Sequence, residues 1–598
     1  MTVNQFLNRF FAGHGNINPS ISAFFLNFQA TATGIYTLVI RWILPVLSIT
    51  IFIRCILPLL NNRKRDTPWG YLDIQNGDRI PLMHWENSIG RSKLSDVVLN
   101  LPFISRSHAV LAYCGGDWSI TDLSSKAGVQ VNGKEIKGPE MVRQGDVISL
   151  GELNLTLLAA EEGSPEQTSH GVMAEVTRFS KHMTSGFTLF LIVLFQIFGG
   201  LQLCFSMGGG LRPEVPVTFF LFIFVECLHF FINRLRGGMY FELELLAYFL
   251  CGVGLFVVAS ASPGSLYKQL VAILIGVAAF SVLVVIIRDL DRAQKLKNAL
   301  VAAALVLLAL NLAIGETRNG AKNWIDLSFI TFQPMEFVKI AFVLAGAATL
   351  DRLLTTRNLT SFIAFSGACI GTLAITKDFG TALIFFCAFL VIAFMRSGDV
   401  RTIALISAGA LLGGIAVISF MPYVTSRFSV WGHVWQYADT SGFQQTRTMI
   451  AAASGGLLGG GGGKGYLVKI AAADTDLVFG VICEEWGLII ALTAVLIIVF
   501  FVFFAMSSVR KCRSSFYSIA ACGAASIFLM QTALNVFGSV DFLPLTGVTM
   551  PFVSNGGSSI ISCWCLLAFI KSVGERYESR KKNGKPGKSA DSRKGWII

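Results

Sequence analysis

The feature that most constrains this chain is a series of thirteen apolar runs, each long enough to cross a lipid bilayer. About 20 apolar residues span the hydrocarbon core as a helix, because a helix satisfies its own backbone hydrogen bonds in lipid. The charged fraction is 14%, against about 25% in soluble domains. The sequence therefore predicts a polytopic α-helical membrane protein. The predicted spans are residues 36–60, 185–206, 216–235, 241–261, 266–288, 294–315, 333–354, 359–376, 379–397, 400–421, 485–509, 516–540 and 553–573.

The positive charges indicate how these spans are oriented. The formal net charge of +12 is carried by short clusters that each follow an apolar run. Because Lys and Arg accumulate in cytoplasmic loops, we interpret the clusters as topology signals and not as a nucleic-acid surface. This orientation places the segment 1–35 outside the cell, before the anchor 36–60, and the basic tail 574–598 inside. The polar stretches 316–331, 422–476 and 541–558 then lie outside.

Residues 66–160 have a different pattern, with short alternating strands separated by Gly, Asn and Asp turns. Examples are Ala109 to Tyr113, Trp118 to Thr121 and Val147 to Leu150. This pattern is typical of an all-β sandwich, here predicted to be cytoplasmic. The polar segment 161–184 that follows has the composition of a linker.

The sandwich carries three loop motifs: Gly90-Arg91-Ser92, Ser105-Arg106-Ser107-His108 and Asn132-Gly133. Any one of them is an ordinary turn sequence, but the ordered set resembles the FHA domain, which reads phosphothreonine. A phosphate needs charge-assisted donors, which Arg91 and Ser105 can supply, while Arg106 adds positive potential.

The FHA resemblance implies a phosphopeptide-binding set, namely Arg91, Ser105, Arg106 and Asn132. It also implies that His108 braces its loop. One departure from the family pattern is Ala127 in Ser125-Lys126-Ala127-Gly128, where the family usually carries Asn.

From about Leu243 to Val573 the chain resembles the SEDS family of FtsW, RodA and SpoVE through motifs in family order. The resemblance implies a ten-helix core over residues 241–573, and the two apolar runs within 185–235 predict additional helices before it. It also implies a peptidoglycan glycosyltransferase that polymerises lipid II. The motifs are Asn319 to Ile325, Gln333 to Phe337, Asp378 to Ala382, Gly455 to Gly465, Asp474 to Phe479, Glu484 to Gly487 and Gly547 to Ser559.

Several charged residues are predicted at the outer membrane face, where ionisable groups are functional candidates. The donor substrate leaves as an anionic polyprenyl diphosphate, so a polymerase needs cations or a metal near that group and a base near the acceptor hydroxyl. The predicted substrate-binding set is Lys322, Glu336, Lys377, Asp378, Arg447, Lys464, Asp474, Ser554 and Ser558.

Asp476 ends the outer loop directly before an apolar run, where desolvation would raise the pKa of its carboxyl. It matches the Asp that the family treats as essential, which implies that Asp476 deprotonates the sugar 4-hydroxyl of one lipid II. The alternative is a helix N-cap. Asp474 could raise the pKa of Asp476 further, or could hold a divalent cation with it, Mg²⁺ or Mn²⁺.

Other departures from the family pattern are Ala472 and Asp474 before this Asp, Lys377 before Asp378, and Asn555. The run Gly459 to Gly463 lacks the context of a phosphate-binding P-loop, so a flexible or close-packed loop is expected. Gln531 and Asn535, on a predicted span, are interpreted as bonding neighbouring helices.

Two other functions remain open at this point: a lipid II flippase or transporter, and an inactive membrane scaffold in cell-wall synthesis. The position of Asp476 favours a transferase, because a transporter would place its decisive ionisable groups near the bilayer midplane. The architecture predicts control through a Thr-phosphorylated partner, and the resemblance implies a separate class B penicillin-binding transpeptidase. Both would serve cell division or cell shape at the cytoplasmic membrane.

Overall fold

A computed structural model of the chain describes most of the helices and strands. Some predicted features lie outside the described residues, including Ser92, Ser107, residues 1–18 and 61–69, residue 160 of the sandwich, residues 161–169 of the linker, and residues 584–598 of the tail. The described residues are 19–60, 70–74, 79–82, 86–91, 95–106, 108–114, 117–123, 125–136, 138, 140–159, 170–206, 212–236, 241–287, 290–318, 321–326, 331–348, 356–397, 400–511 and 515–583.

Residues 70–159 form the predicted β-sandwich. One sheet has the strand order β2-β1-β11-β10-β7-β8 and the other has the order β4-β3-β5-β6-β9. Every pair is antiparallel except β3 with β4. The strands are β1 Gly70–Ile74, β2 Arg79–Leu82, β3 Glu86–Gly90, β4 Val97–Val98, β5 Ala109–Cys114, β6 Asp117–Asp122, β7 Val129–Val131, β8 Lys134–Glu135, β9 Glu140–Val142, β10 Val147–Leu150 and β11 Leu153–Ala159.

The alternation of the sequence explains the sandwich core. Successive side chains of a strand point to opposite faces, so Leu155 and Leu157 on β11 are both buried while Thr156 between them is partly exposed. Ile89 and Leu111 from the facing sheet belong to the same apolar cluster. The prediction of an all-β sandwich is confirmed.

All thirteen predicted apolar runs contain a long helix. The remaining helices are short: α11 and α12 lie in the predicted outer loop 422–476, and α13 follows it directly. The helices are α1 Pro19–Leu60, α2 His170–Ser206, α3 Glu214–Leu235, α4 Glu242–Ala261, α5 Leu266–Ile287, α6 Leu290–Ile314, α7 Pro334–Ala348, α8 Thr356–Ile375, α9 Phe379–Ser397, α10 Val400–Phe420, α11 Pro422–Val430, α12 Phe443–Gly455, α13 Val478–Trp486, α14 Leu488–Lys511, α15 Ser515–Ser539 and α16 Gly557–Asn583.

Within the described residues, eight helices contain a segment long and apolar enough to cross a membrane. Four more contain shorter apolar segments, at Ser361–Ile375, Phe379–Met395, Ile403–Ile415 and Gly557–Val573. A helical membrane protein is therefore confirmed, and the number of thirteen crossings stays a prediction.

Some helix ends differ from the predicted span ends. Helices α1 and α2 begin at Pro19 and His170, well before the apolar runs, because hydropathy marks the part of a helix that lipid surrounds and not where its hydrogen bonds begin. The run predicted to start at residue 485 is divided between α13 and α14. Gly487 separates them with φ of +92°, a left-handed conformation that interrupts a helix.

A small sheet lies between α6 and α7. Strand β13 (Ala321–Asp326) pairs with β12 (Glu316–Arg318) on one side and β14 (Thr331–Phe332) on the other. It contains Lys322 and Asn323 of the predicted outer motif.

Candidate catalytic and phosphopeptide sites

Asp476 lies in a tight turn directly before α13. Its backbone N–H donates to the carbonyl of Ala472 at 2.9 Å, and Ala472 itself has φ of +62°. The Nδ2 group of Asn535, on α15, donates to the carbonyl of Asp476 at 3.1 Å and to that of Val548 at 2.8 Å. Asn535 thus joins the Asp476 turn to the 541–556 loop. The sequence had predicted only that Asn535 bonds a neighbouring helix.

The Asp476 side chain faces Gly547, where an added Cβ would lie 3.3 Å from Oδ2. Burial raises the pKa of the Asp476 carboxyl to about 6; the hydrogen bond from Thr475 and the Arg427 charge lower this pKa, whereas the Asp474 charge raises it. The N-cap position of α13 is Leu477, and it has no side-chain cap. The predicted pKa rise is confirmed, and the N-cap interpretation of Asp476 is wrong.

Asp474 and its neighbours join the same turn to the 550–556 segment. Asn555 donates through its backbone N–H to the carbonyl of Asp474, and through Nδ2 to Oδ2 of Asp474, both at 2.7 Å. The Ser554 hydroxyl donates to the carbonyl of Thr475 at 2.6 Å and accepts from the N–H of Met550 at 2.8 Å. Ser554 and Asp474 of the predicted set therefore lie together, and both hold the loop that carries Asp476.

Asp378 is a second acidic residue, in the turn between α8 and α9. Its Oδ1 accepts from the N–H of Thr381 at 3.1 Å, which caps α9, and its Oδ2 accepts from Nδ2 of Asn323 at 2.8 Å. A Cβ on Gly380 would lie 3.0 Å from Cβ of Thr546, so the start of α9 packs against the segment that covers Asp476. The backbone N–H of Lys322 donates to the carbonyl of Thr376 at 2.9 Å. This bond holds β13 against the turn that contains Asp378.

Arg427 on α11 is a site residue that sequence reasoning missed. Its Nη1 donates to the carbonyl of Leu545 at 2.8 Å, and its charge acts on the Asp476 carboxyl. The sequence shows only that Arg427 is a cation in the long outer loop. It was missed because it belongs to none of the family motifs.

Other members of the predicted set lie elsewhere. Arg447 is 3.8 Å from the exposed carboxylate of Asp439 and lies over the ring of Phe443. Glu336 is buried and pairs with Lys339 at 2.7 Å, and the Ser558 hydroxyl accepts from the N–H of Gln333 at 3.4 Å. Among the described residues, no hydrogen bond or ion pair joins Arg447, Glu336 or Ser558 to Asp476.

The FHA-like loops form a separate group. The backbone N–H of Arg91 donates to the carbonyl of Ser105 at 2.9 Å, and the Ser105 hydroxyl accepts from the N–H of Lys126 at 3.0 Å. Arg91 and Arg106 are exposed. The buried ring of His108 contacts the N–H of Ser105 and the carbonyl of Gly128, each at 3.1 Å, so it braces both loops.

Asn132, predicted to bind the phosphopeptide, makes its hydrogen bonds away from Arg91 and Ser105. Strand β7 separates it from Gly128, its Nδ2 donates to Asp146 at 3.0 Å, and its Oδ1 accepts from the N–H of Val147 at 3.0 Å. Both ends of its side-chain amide are therefore hydrogen-bonded within a turn. Asn132 itself has a φ of +51° in this turn. We therefore interpret Asn132 as a turn residue and not as part of the Arg91 and Ser105 group.

Two family profiles match the chain. The cell cycle protein profile of FtsW, RodA and SpoVE matches residues 243–579, and the FHA domain profile matches residues 87–151. The chain belongs to the FtsW/RodA/SpoVE family. It is 28% identical to the probable peptidoglycan glycosyltransferase FtsW of Bacillus subtilis over 56% of this chain and 91% of the relative. It is 32% identical to the same-named protein of Tolumonas auensis over 54% of this chain and 89% of the relative.

One solved structure similar to this chain is described as "Structural coordination of polymerization and crosslinking by a peptidoglycan synthase complex". Identity is 27%, the TM-score is 0.47, and the similarity covers 56% of this chain and 98% of that one. The sandwich and helices α1 to α3 precede the residues that match the FtsW/RodA/SpoVE profile.

The Gly-rich segment of this FtsW/RodA/SpoVE member is a close-packed loop. The N–H groups of Gly460 and Gly461 donate to the carbonyls of Glu484 and Glu485 at 2.8 and 2.9 Å. Glu484 in turn accepts from the N–H groups of Tyr466 and Leu467 at 2.8 and 2.9 Å. The loop therefore wraps the end of α13, and its glycines serve close approach of two backbones. Lys464 lies on this loop.

Two departures from the FtsW/RodA/SpoVE pattern have a structural explanation. Lys377 has φ of +60°, which a proline ring cannot adopt, so the turn before Asp378 differs from one that contains Pro. Asn555 uses its amide to hold Asp474.

The described residues contain no group of three His, Cys, Asp or Glu placed to hold a metal ion.

Proposed function

We propose that this chain is a peptidoglycan glycosyltransferase that polymerises lipid II into β-1,4 glycan at the outer face of the cytoplasmic membrane. The observation that carries the proposal is the placement of Asp476. Its carboxyl is partly buried, which raises its pKa to about 6, and it lies beside the backbone of Gly547 in the predicted outer loop. A general base works best when its pKa lies near the working pH.

The proposed reaction is a single displacement. Asp476 takes the proton from the sugar 4-hydroxyl of one lipid II, and that oxygen attacks the anomeric carbon of a lipid-linked chain. A carbon–oxygen bond forms while the bond from the anomeric carbon to the diphosphate oxygen breaks. The polyprenyl diphosphate leaves with the electron pair, and the configuration at the anomeric carbon inverts.

The leaving diphosphate requires positive charge close to its oxygens. The charge of Arg427 acts on Asp476. Lys322 lies on β13, Lys377 lies in the turn before α9, and Lys464 lies on the Gly-rich loop. We propose Arg427 and Lys322, whose Nζ also donates to the carbonyl of Leu312 at 2.6 Å, as diphosphate contacts, with Lys377, Arg447 and Lys464 as further sources of positive charge.

The proposal is tested by incubating the purified full-length protein in detergent or nanodiscs with lipid II, alone and with a candidate class B transpeptidase. Glycan polymer from either reaction supports the proposal. If both reactions leave lipid II unchanged while the protein remains folded, transport assays with the same protein become the decisive measurement, and the transferase proposal is abandoned.

The pH dependence of polymerisation gives a sharper test of Asp476. The base must be ionised, so the rate should fall about tenfold per pH unit below pH 6. Asp474→Asn removes a charge that raises the pKa of Asp476 and should move this acid limb to lower pH. Arg427→Gln removes a charge that lowers the same pKa and should move the limb to higher pH.

Initial rates from pH 5 to 8 measure both shifts, with Asp439→Asn as the control because its side chain is 94% exposed. Shifts of the two variants in the same direction would contradict the assignment of Asp476 as the titrating base.

We further propose that the FHA domain faces the cytoplasm and binds a Thr-phosphorylated partner. Arg91→Ala should weaken the binding of phosphothreonine peptides by about 10- to 100-fold, because a charge-assisted hydrogen bond contributes about 1.5–3 kcal/mol. Binding of a degenerate phosphothreonine peptide library to the full-length protein measures the loss.

The control is Lys134→Ala, which removes an exposed cation on β8 beyond Asn132. Equal weakening by the two variants would show that binding follows net charge and does not use the Arg91 and Ser105 loops.

A further inference from the structure

Helices α1 and α2 contact the Gly-rich loop of the family core. Nε2 of Gln202 on α2 donates to the Thr37 hydroxyl on α1 at 3.0 Å. A Cβ on Gly461 would lie 2.8 Å from Cγ2 of Thr37 and 3.5 Å from Nε2 of Gln202. Both helices precede residue 243, where the family match begins, so this is a junction between additional helices of this chain and the family core.

A small cavity lies at this junction. It is lined by α1, α2, the Gly-rich loop and the end of α13, and it leaves about 10 Å³ for the centre of a water-sized sphere. This is room for one water molecule and too little for a larger ligand.

Four polar atoms on the residues that line the cavity have no hydrogen-bond partner among the described residues. Oε1 of Gln202 and Oε2 of Glu485 are acceptors, whereas Nε1–H of Trp486 and Nε–H of Arg41 are donors. Gln202 and Glu485 are each 1% exposed and Trp486 is 3% exposed. A buried polar group without a hydrogen-bond partner destabilises the fold, so a shared partner is favoured.

The other polar atoms of Gln202 and Glu485 are already engaged. Nε2 of Gln202 donates to Thr37 and to Ser206, and Oε1 of Glu485 accepts from the Ser260 hydroxyl at 2.5 Å and from the N–H of Gly465 at 3.1 Å. These contacts hold the amide of Gln202 and the carboxylate of Glu485 in place, with Oε1 of Gln202 and Oε2 of Glu485 left unpartnered.

We propose that this cavity binds one ordered water molecule, which donates to Gln202 and Glu485 and accepts from Trp486 and Arg41. Water offers two donors and two acceptors, which matches the two acceptors and two donors of the lining. A bound cation would meet two N–H groups, and a bound anion would meet a carboxylate, so neither fits the set.

The water joins α1 and α2 to the helix that follows Asp476. Helix α13 begins two residues after Asp476 and ends with Glu485 and Trp486, so the water anchors its far end. The sandwich is inserted between α1 and α2 in the sequence, and these two helices connect it to the outer loop.

The direct test is a cryo-electron microscopy map of the full-length protein in lipid nanodiscs, at a resolution that shows ordered water. A single density peak at about 2.6–3.2 Å from the polar atoms of Gln202, Glu485 and Trp486 supports the proposal. Well-defined side chains with no peak between them, or a direct bond between Gln202 and Trp486, would overturn it.

A double-mutant cycle tests the proposal in solution. Gln202→Met and Trp486→Phe each remove one group that binds the water, so the combined fall in Tm should be smaller than the sum of the single falls. The control pairs Trp486→Phe with Gln531→Met, a buried amide on α15, and should be additive. Additive falls for Gln202 and Trp486 would overturn the proposal, and because Tm does not depend on glycan synthesis, this result is independent of the proposed function.

Discussion

Asp476→Asn is expected to reduce glycan polymerisation by about 10²- to 10⁴-fold, the usual contribution of a general base. The substitution keeps the shape of the side chain and removes only its ability to accept the proton. The contacts of Asn535 and Ser554 with this turn involve backbone carbonyls, so they remain. Initial rates of polymer formation from lipid II, for equal amounts of folded protein, measure the loss.

The same variant should be at least as stable as the wild type. Burial raises the pKa of Asp476 to about 6 from 3.8, so the folded state disfavours the ionised carboxylate. A carboxyl with a raised pKa lowers the free energy of unfolding as the pH rises from about 3.8 to about 6, and that loss persists at neutral pH. A neutral Asn removes the loss, so Tm should stay constant or increase.

Asp439→Asn is the matched control, because it is the same substitution at an exposed position near Arg447 in the same loop. It should leave both rate and Tm unchanged. An Asp476→Asn protein that retains wild-type polymerisation would eliminate Asp476 as the base, and one that loses activity together with a lower Tm would indicate a structural role.

Gly455→Ala is expected to be the most damaging single methyl addition in the outer loop. Its Cβ would lie 2.0 Å from the carbonyl oxygen of Cys483 and 2.7 Å from Cα of Glu484, both of which are backbone atoms that cannot rotate away. Forced overpacking of this kind costs about 3 kcal/mol or more, at the upper end of the usual range.

The clash separates α12 from α13, and α13 is continuous with the Asp476 turn. A displacement of about 1 Å of a catalytic group can cost about 10²-fold in rate, so activity should fall together with Tm. Thermal unfolding in detergent and initial polymerisation rates measure the two effects.

Gly460→Ala provides the control within the same Gly-rich loop. Gly460 is exposed, its added Cβ would lie 3.4 Å from the carbonyl of Glu484, and its N–H would still donate to that carbonyl. We expect nearly wild-type stability and activity. Equal losses of Tm and of rate from the two substitutions would contradict this explanation. They would indicate that the whole loop requires the backbone freedom of glycine, and not only the close backbone contact at Gly455.

The helices, the sandwich and the candidate base were predicted from the sequence because each leaves a local signal. Apolar runs of helix length locate the spans, since lipid permits only backbone that bonds within its own segment. Period-two alternation locates strands such as β11. Asp476 was found through its motif and its position before an apolar run, and both are properties of neighbouring residues.

The contacts around that base depend on segments far apart in the sequence. Arg427, Asn535 and Gly547 surround Asp476 from three different elements, and no periodicity relates their positions. Asn132 lies beside Gly133 in a motif that is similar to a binding loop, yet the pairing of β7 with β10 directs its amide to Asp146.

The sequence by itself determined that the chain is a helical membrane protein, which segment folds as a sandwich, and which acid is the candidate base, because hydrophobicity and motif spacing act over a few turns of chain. Only the tertiary structure decided how that acid is shielded and which additional helices support its loop. The pKa of Asp476 depends on burial by distant segments, and the junction of Thr37 and Gln202 with Gly461 exists only after α1 and α2 have packed against the core.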